Sequence, residues 1–307
     1  MTTSVVNALV PVVALLGLGW VLRRRAPDRD DFWSGAENLC YGVLLPALFF
    51  HGLATARLGE LPVSGLAVVL LGSTLAVAMP LVALGRLLVR DGAAFTSVFQ
   101  GGVRFNNYIG VTLATGLLGS DGVAYAALCN GILVPTVNVL SVLVFARCGG
   151  EPLSARATLR QVATNPLIFA CVAGVAVHVS GAALPAGVAA TAQALGAASM
   201  PLGLMCVGAA LRRFTARRTW TVPVAVASTT KFVALPAAGL LLAPWAGLES
   251  DGLLAAMLFL TLPTASSSYL LARRLGGDAP LMAAIIAMQT VGGLATVPAV
   301  LAVTLAV

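Results

Sequence analysis

Acidic side chains are scarce in this chain, with 11 Asp and Glu among 307 residues and only two histidines beside them. All charged residues together make 9% of the sequence, against roughly 25% in soluble domains, which excludes a water-solvated globular protein. Three kinds of intramembrane enzyme also lack their reacting groups. There is no H-E-x-x-H metal motif, no pair of aspartates in the middle of an apolar run, and no aspartate-rich pyrophosphate motif. The serines at 266–268 have no histidine at mid-membrane depth to act as a base. Cysteine is sparse as well. Cys40, Cys129, Cys171 and Cys206 fall inside apolar runs and read as small packing residues, so no disulfide framework is expected. The expectation is a protein that is not an enzyme and needs no cofactor or metal.

Apolar sequence is what the chain has in abundance: 59% of residues, with a mean hydropathy of +0.97. Ten apolar runs follow one another at 5–22, 33–56, 63–89, 95–117, 122–146, 161–180, 186–211, 220–243, 252–272 and 280–305, here called spans 1 to 10. Each is long enough to cross a hydrocarbon core of about 30 Å as a helix. In lipid the backbone must satisfy its own polar groups, and these runs are too long and continuous for barrel strands of about 10 alternating residues. The fold class expected is an all-α polytopic membrane protein.

A net charge of +7 invites a nucleic-acid partner, but the placement of the charges excludes one. Basic residues cluster after spans 1, 3, 5, 7 and 9, in Arg23, Arg24, Arg25, Arg29, Arg86, Arg90, Arg147, Arg156, Arg160, Arg212, Arg213, Arg217, Arg218, Arg273 and Arg274. Arg57 alone lies in a loop on the other side, and Arg104 and Lys231 lie inside spans. Such asymmetry marks the cytoplasmic face, so the reading is a multi-pass protein of the cytoplasmic (inner) membrane with both termini extracytoplasmic. "MTTSVVNA" carries no basic residue and "RRR" follows the first apolar run, the wrong polarity for a cleaved leader. Trp20, Trp33, Trp220 and Trp245 fall near span ends, where amphipathic rings favour the headgroup zone.

The chain repeats itself weakly. "LGSD" at 118–121 and "LGGD" at 275–278 each precede an apolar run, an offset of 157 that, within two residues, also pairs Pro80 with Pro236 and Pro46 with Pro201. The same offset pairs Asn106 with Pro263 and Asn107 with Thr264. Two halves of five spans each, 1–146 and 161–307 joined by a linker at 147–160, place the second copy upside down in the membrane. Inverted repeats characterise secondary transporters, whose sites form where interrupted helices meet at the midplane. Span 4 carries "GG" at 101–102 and the Asn106-Asn107 pair, and span 9 carries "TLPTASSSY" at 261–269. Pro263 predicts a break or kink in span 9, with Thr264, Ser266 and Ser267 directly after it, and the N–H groups freed in the second half of the helix can receive an anion. A plain proline kink with back-bonded hydroxyls is the other reading of that segment.

Arg104 and Lys231 are costly, about 2.5–3.5 kcal/mol each at the bilayer centre. Glu37, near the cytoplasmic start of span 2, is the only acidic candidate to pair with them. Either they brace carbonyls freed by broken helices, or they attract an anionic solute. Asn106 and Asn107 can each donate two hydrogen bonds to a carboxylate. Asn130 and Asn138, around Pro135 in span 5, and Gln289 in span 10 can complete a polar cavity or serve ordinary interhelical bonds. His51 and His178 fall near outer span ends and read as solvated. Spans 4, 5, 9 and 10 hold no carboxylate in their cores, which disfavours coupling to a proton or sodium ion.

Six segments carry a family resemblance: "LLPALFF" in span 2, "VRFNNYIGVTLATGLLG" in span 4, "NPLIFACVAGV" in span 6, "ASMPLGLMCVGAAL" in span 7, "KFVALP" in span 8 and "TLPTASSSYLLA" in span 9. Together they resemble the auxin efflux carrier superfamily, which includes plant auxin exporters and bacterial malonate-type permeases. The resemblance implies a 5+5 inverted repeat of ten helices with crossing, interrupted spans 4 and 9. It also implies a scaffold of spans 1, 2, 6 and 7 that often dimerises, and a moving transport domain of spans 3–5 and 8–10. Family members often have a proline where this chain has Asn106, so a softer break is expected in span 4. The short 147–160 linker resembles the compact bacterial members.

The sequence therefore reads as a secondary transporter moving a small organic anion, an auxin-like acid or short dicarboxylate, by an elevator mechanism, as efflux or uniport. Its partners are that solute, the bilayer and a second copy of the chain. The substrate-binding residues expected are Arg104, Asn106, Asn107, Asn130, Asn138, Lys231, Pro263, Thr264, Ser266 and Gln289. The alternatives are an anion-binding membrane receptor without transport, or an ion-coupled symporter.

Overall fold

The computed structural model describes residues 2–26, 30–56, 61–148, 164–213, 221–248 and 250–305. Arg29, Arg57, Arg156, Arg160, Arg217, Arg218, Trp220 and residues 149–160 of the expected linker lie outside the described residues. Among the described residues every regular element is helical, and each of the ten apolar runs contains helix. They are α1 (Thr2–Arg25), α2 (Asp30–Leu39), α3 (Leu45–Thr55), α4 (Val63–Leu88), α5 (Gly92–Val103), α6 (Asn107–Leu118) and α7 (Gly122–Cys148). After the linker come α8 (Pro166–Ser180), α9 (Ala186–Arg213), α10 (Val222–Thr229), α11 (Leu235–Ala246), α12 (Ser250–Thr261), α13 (Ser267–Arg274) and α14 (Ala279–Thr304). Seven helical stretches among the described residues are long and apolar enough to cross a membrane, one of them running from Gly92 to Cys148. Pro166–Ser180 and Ser250–Thr261 are shorter apolar helices. The chain is a polytopic α-helical membrane protein.

Local chemistry sets several boundaries. Span 6 was expected from 161, yet α8 starts at Pro166, because Asn165 caps it by accepting from Leu167 N at 2.9 Å and the proline fits the first helical position. Two of the few acids serve as caps: Asp91 Oδ1 accepts from Ala94 N and Asp278 Oδ1 from Leu281 N, starting α5 and α14. A wide π turn, Cys40–Leu44, joins α2 to α3, and another, Thr230–Ala234, joins α10 to α11. Pro46 and Pro236 follow two residues after these turns, where the looser winding makes room for a ring that crowds the preceding carbonyls.

The residues group into two compact units. One holds 1–61, 107–131 and 161–212, and the other 62–106, 132–160 and 213–307. Neither coincides with a sequence half, since each draws helices from both 1–146 and 161–307. Spans 1, 2, 6 and 7 fall in the first unit and spans 3, 8, 9 and 10 in the second, while spans 4 and 5 are divided between them. In the first unit α1 meets α9 backbone to backbone. A side chain at Gly19 would collide with the Met205 carbonyl, and one at Gly208 with that of Leu16. Small residues permit this approach, on which helix association in lipid depends.

In the second unit α4 packs along α11, and Phe95, Phe99, Phe145 and Phe259 are fully buried. An apolar groove of about 560 Å³ runs between α4 and α10, lined by Pro80, Leu84, Leu88, Val226 and Thr229 among others. Large apolar side chains face outward, as lipid allows: Phe169 and Leu241 are more than 70% exposed, and Trp245 is 85% exposed at the end of α11. Trp20 stacks under Arg24, whose guanidinium carbon lies 5.7 Å from the ring centre.

Candidate functional site: two helix breaks joined in the second unit

Span 4 is interrupted at residues 104–106, between α5 and α6. Arg104 leaves the helix in an extended conformation (φ −75°, ψ 160°), although its N–H still closes the last turn onto Gln100 O at 2.9 Å. No proline causes this break. Gly101 and Gly102 lie against Ile285 and Thr230, so close that an added Cβ at either would collide, and Asn106 then turns its N–H to another segment. The gap of three residues is shorter than the one in span 9, where 262–266 separate α12 from α13. There Pro263 has no N–H to continue the ladder, as its chemistry requires.

Each break supplies what the other lacks. Asn106 N donates to Pro263 O at 2.8 Å, and Thr264 Oγ1 donates to Gln100 O at 3.3 Å. Gln289, fully buried on α14, completes the join, its Nε2 donating to Gly101 O at 2.9 Å while its Oε1 accepts from Thr264 N at 3.0 Å. Unsatisfied backbone groups in lipid cost several kcal/mol each, and these bonds remove that cost. Gln289 thus spends both ends of its amide on the protein backbone.

Arg104 is half-buried beside this join. Its Nη1 donates to Asn138 Oδ1 at 2.7 Å and its Nη2 to Ser267 Oγ at 3.3 Å. Ser267 is the first residue of α13, so a guanidinium sits at the end of a helix that already carries partial positive charge. Asn106, Pro263 and Thr264 are buried in the join, and Ser266 precedes α13, its carbonyl accepting from Tyr269 N at 3.0 Å. Lys231 is 1% exposed in the π turn, and among the described residues no hydrogen bond links its ammonium to the join or to a carboxylate. Asn107 and Asn130 belong to the first unit. Asn107 opens α6, and Asn130 Nδ2 donates to Ala126 O at 2.8 Å within its own helix.

The structure therefore brings together Arg104, Asn106, Asn138, Pro263, Thr264, Ser266 and Gln289, and does not bond Lys231 to them. Gln100 was absent from the sequence-derived set. The signal was there, a lone amide one turn ahead of Arg104 in an apolar run. Among the described residues no group of three or more His, Cys, Asp or Glu could hold a metal ion.

Two broken helices joined by buried polar groups, in a chain of apolar helices, mark a membrane protein. The sequence profile of the membrane transport protein family matches residues 4–301, and the chain belongs to that family. No curated protein matches the chain.

Proposed function

We propose that the chain is a secondary carrier for a small organic anion of the cytoplasmic membrane, with a carboxylate as its chemical class. The single observation carrying this reading is the seat of Arg104 against the first turn of α13. A cation at a helix N-terminus is unfavourable, where an anion gains about 0.3–1 kcal/mol and up to about 2 when partly buried. An anionic solute there bonds both positive features at once. Arg104 attracts it, and Ser266 with the positive end of α13 holds it. Pro263, Thr264 and Gln289 keep the break open. In this reading Asn106 and Asn138 supply amides to the solute, Lys231 adds positive potential, and a binding role for Asn107 and Asn130 rests on the sequence alone.

The elevator part of the reading assigns motion to spans 3–5 and 8–10 and a fixed, dimerising role to spans 1, 2, 6 and 7. The existence of a separately packed unit holding spans 3, 8, 9 and 10 supports it. A monoanion leaving a negative-inside cell gains about 2.3 kcal/mol per 100 mV, so efflux by uniport needs no co-ion. Kinship with malonate-type permeases or plant auxin exporters is part of this proposal. The test is a panel of carboxylates on reconstituted protein, read by solid-supported membrane electrophysiology. Currents of the sign of anion movement are expected, abolished by Arg104→Ala and weakened by Asn107→Ala. Flux without current contradicts uniport, and saturable binding without flux makes the protein a receptor.

A further inference from the structure

We infer that Gln100 reads the solute in this same site, and that the carried carboxylate bears a second hydrogen-bonding group close to the carboxylate. The inference rests on the carrier reading above and adds the residue that sets its substrate class.

Gln100 is fully buried near the end of α5, and neither its Oε1 nor its Nε2 meets a hydrogen-bonding partner among the described residues. Its direction follows from its neighbours on the helix. Ser97, three residues earlier, donates from Oγ to Asp278 O at 2.8 Å, and Arg104, four residues later, reaches Ser267 Oγ. Those two partners bracket α13, so the side chain between them, on the face that i−3 and i+4 share, is turned to α13. The backbone carbonyl of Gln100 meets that region too, through Thr264 Oγ1, which lies 3.4 Å from Ser268 Oγ.

A buried amide left without partners is costly for each unmet group. The other polar side chains of the join spend their groups on each other or on the backbone, as Gln289 and Thr264 do. Gln100 offers a donor and an acceptor with neither used. With positive charge supplied by Arg104 and the α13 terminus, the carboxylate goes there, and the neutral amide takes the second group. Short hydroxy-, keto- and dicarboxylates satisfy both positions. A plain monocarboxylate leaves the amide unmet, and a site built to hydrogen-bond a group discriminates strongly against the analogue lacking it.

The test uses full-length protein in proteoliposomes at neutral pH, with propionate, lactate and malonate as probes and apparent affinity read from electrogenic currents. Wild type is expected to favour lactate over propionate by at least about 10-fold, and Gln100→Leu to bring that ratio within about 2-fold. Ratios are taken within each variant, so a change in the amount of folded carrier cancels. Gln100→Glu keeps acceptors but adds negative charge, and is expected to lower malonate relative to lactate by about 10-fold or more. Unchanged ratios in both variants overturn the role of Gln100 while leaving the carrier reading intact. Absence of any carboxylate current in wild type overturns both.

Discussion

The N–H of Asn106 points at the carbonyl of Pro263, 2.8 Å away, so the interruption in one span is closed by the interruption in another. Neither break is a defect in an otherwise regular helix. Each is the partner that makes the other affordable in a medium without water.

Gln289 is the side chain on which that arrangement turns. Replacing it with leucine orphans Gly101 O and Thr264 N, both buried, at about 1–3 kcal/mol each. The melting temperature of purified Gln289→Leu in detergent is expected to fall well below wild type. Gln289→Glu keeps the acceptor for Thr264 N, loses the donor to Gly101 O, and should fall between them. Equal melting of all three forms removes Gln289 from the join.

Arg104 serves geometry as well as charge. Lysine keeps the charge but cannot reach Asn138 Oδ1 and Ser267 Oγ with a planar fork. Arg104→Lys is therefore expected to transport the preferred carboxylate with apparent affinity lowered by about 10-fold, corresponding to roughly 1.4 kcal/mol. Affinity equal to wild type assigns the arginine to charge alone.

The close approach of α1 and α9 gives a paired test inside the first unit. A Cβ at Gly19 meets the Met205 backbone, whereas one at Gly17, two residues earlier, meets nothing within 4 Å. Gly19→Ala is expected to destabilise by about 1–3 kcal/mol through overpacking. Gly17→Ala should be neutral or slightly stabilising, because alanine is the better helix former by about 1 kcal/mol. Thermal melts of the two variants settle the comparison.

The caps of α5 and α14 make a further prediction. Asp91→Ala and Asp278→Ala each remove a side-chain acceptor from a first-turn N–H, at about 1 kcal/mol. Asparagine at either position should restore most of it, as urea or thermal unfolding of the reconstituted variants can show.

Much of this was legible without coordinates because membrane physics writes it in composition. Apolar runs, clustered arginines and Pro263 announced helices and a break in span 9, since lipid permits few backbone solutions and proline removes a donor wherever it stands. The break in span 4 was harder to read. Asn106 is not proline, and its N–H is taken up by Pro263 O, whose position is distant in sequence. Gln289 was expected among the solute-binding amides, and its polarity gave no hint that two backbone groups from separate spans would occupy it. Gln100 went unnoticed because an amide in an apolar run has no meaning until its neighbours are placed.

The sequence by itself determined that the chain is an α-helical membrane protein, where its helices run and which residues were too polar for lipid, because those follow from transfer costs paid residue by residue. Which polar groups satisfy one another was decided only by the tertiary structure. Hydrogen bonding between segments more than 150 residues apart depends on angles and distances of a few ångströms, and no local pattern encodes them.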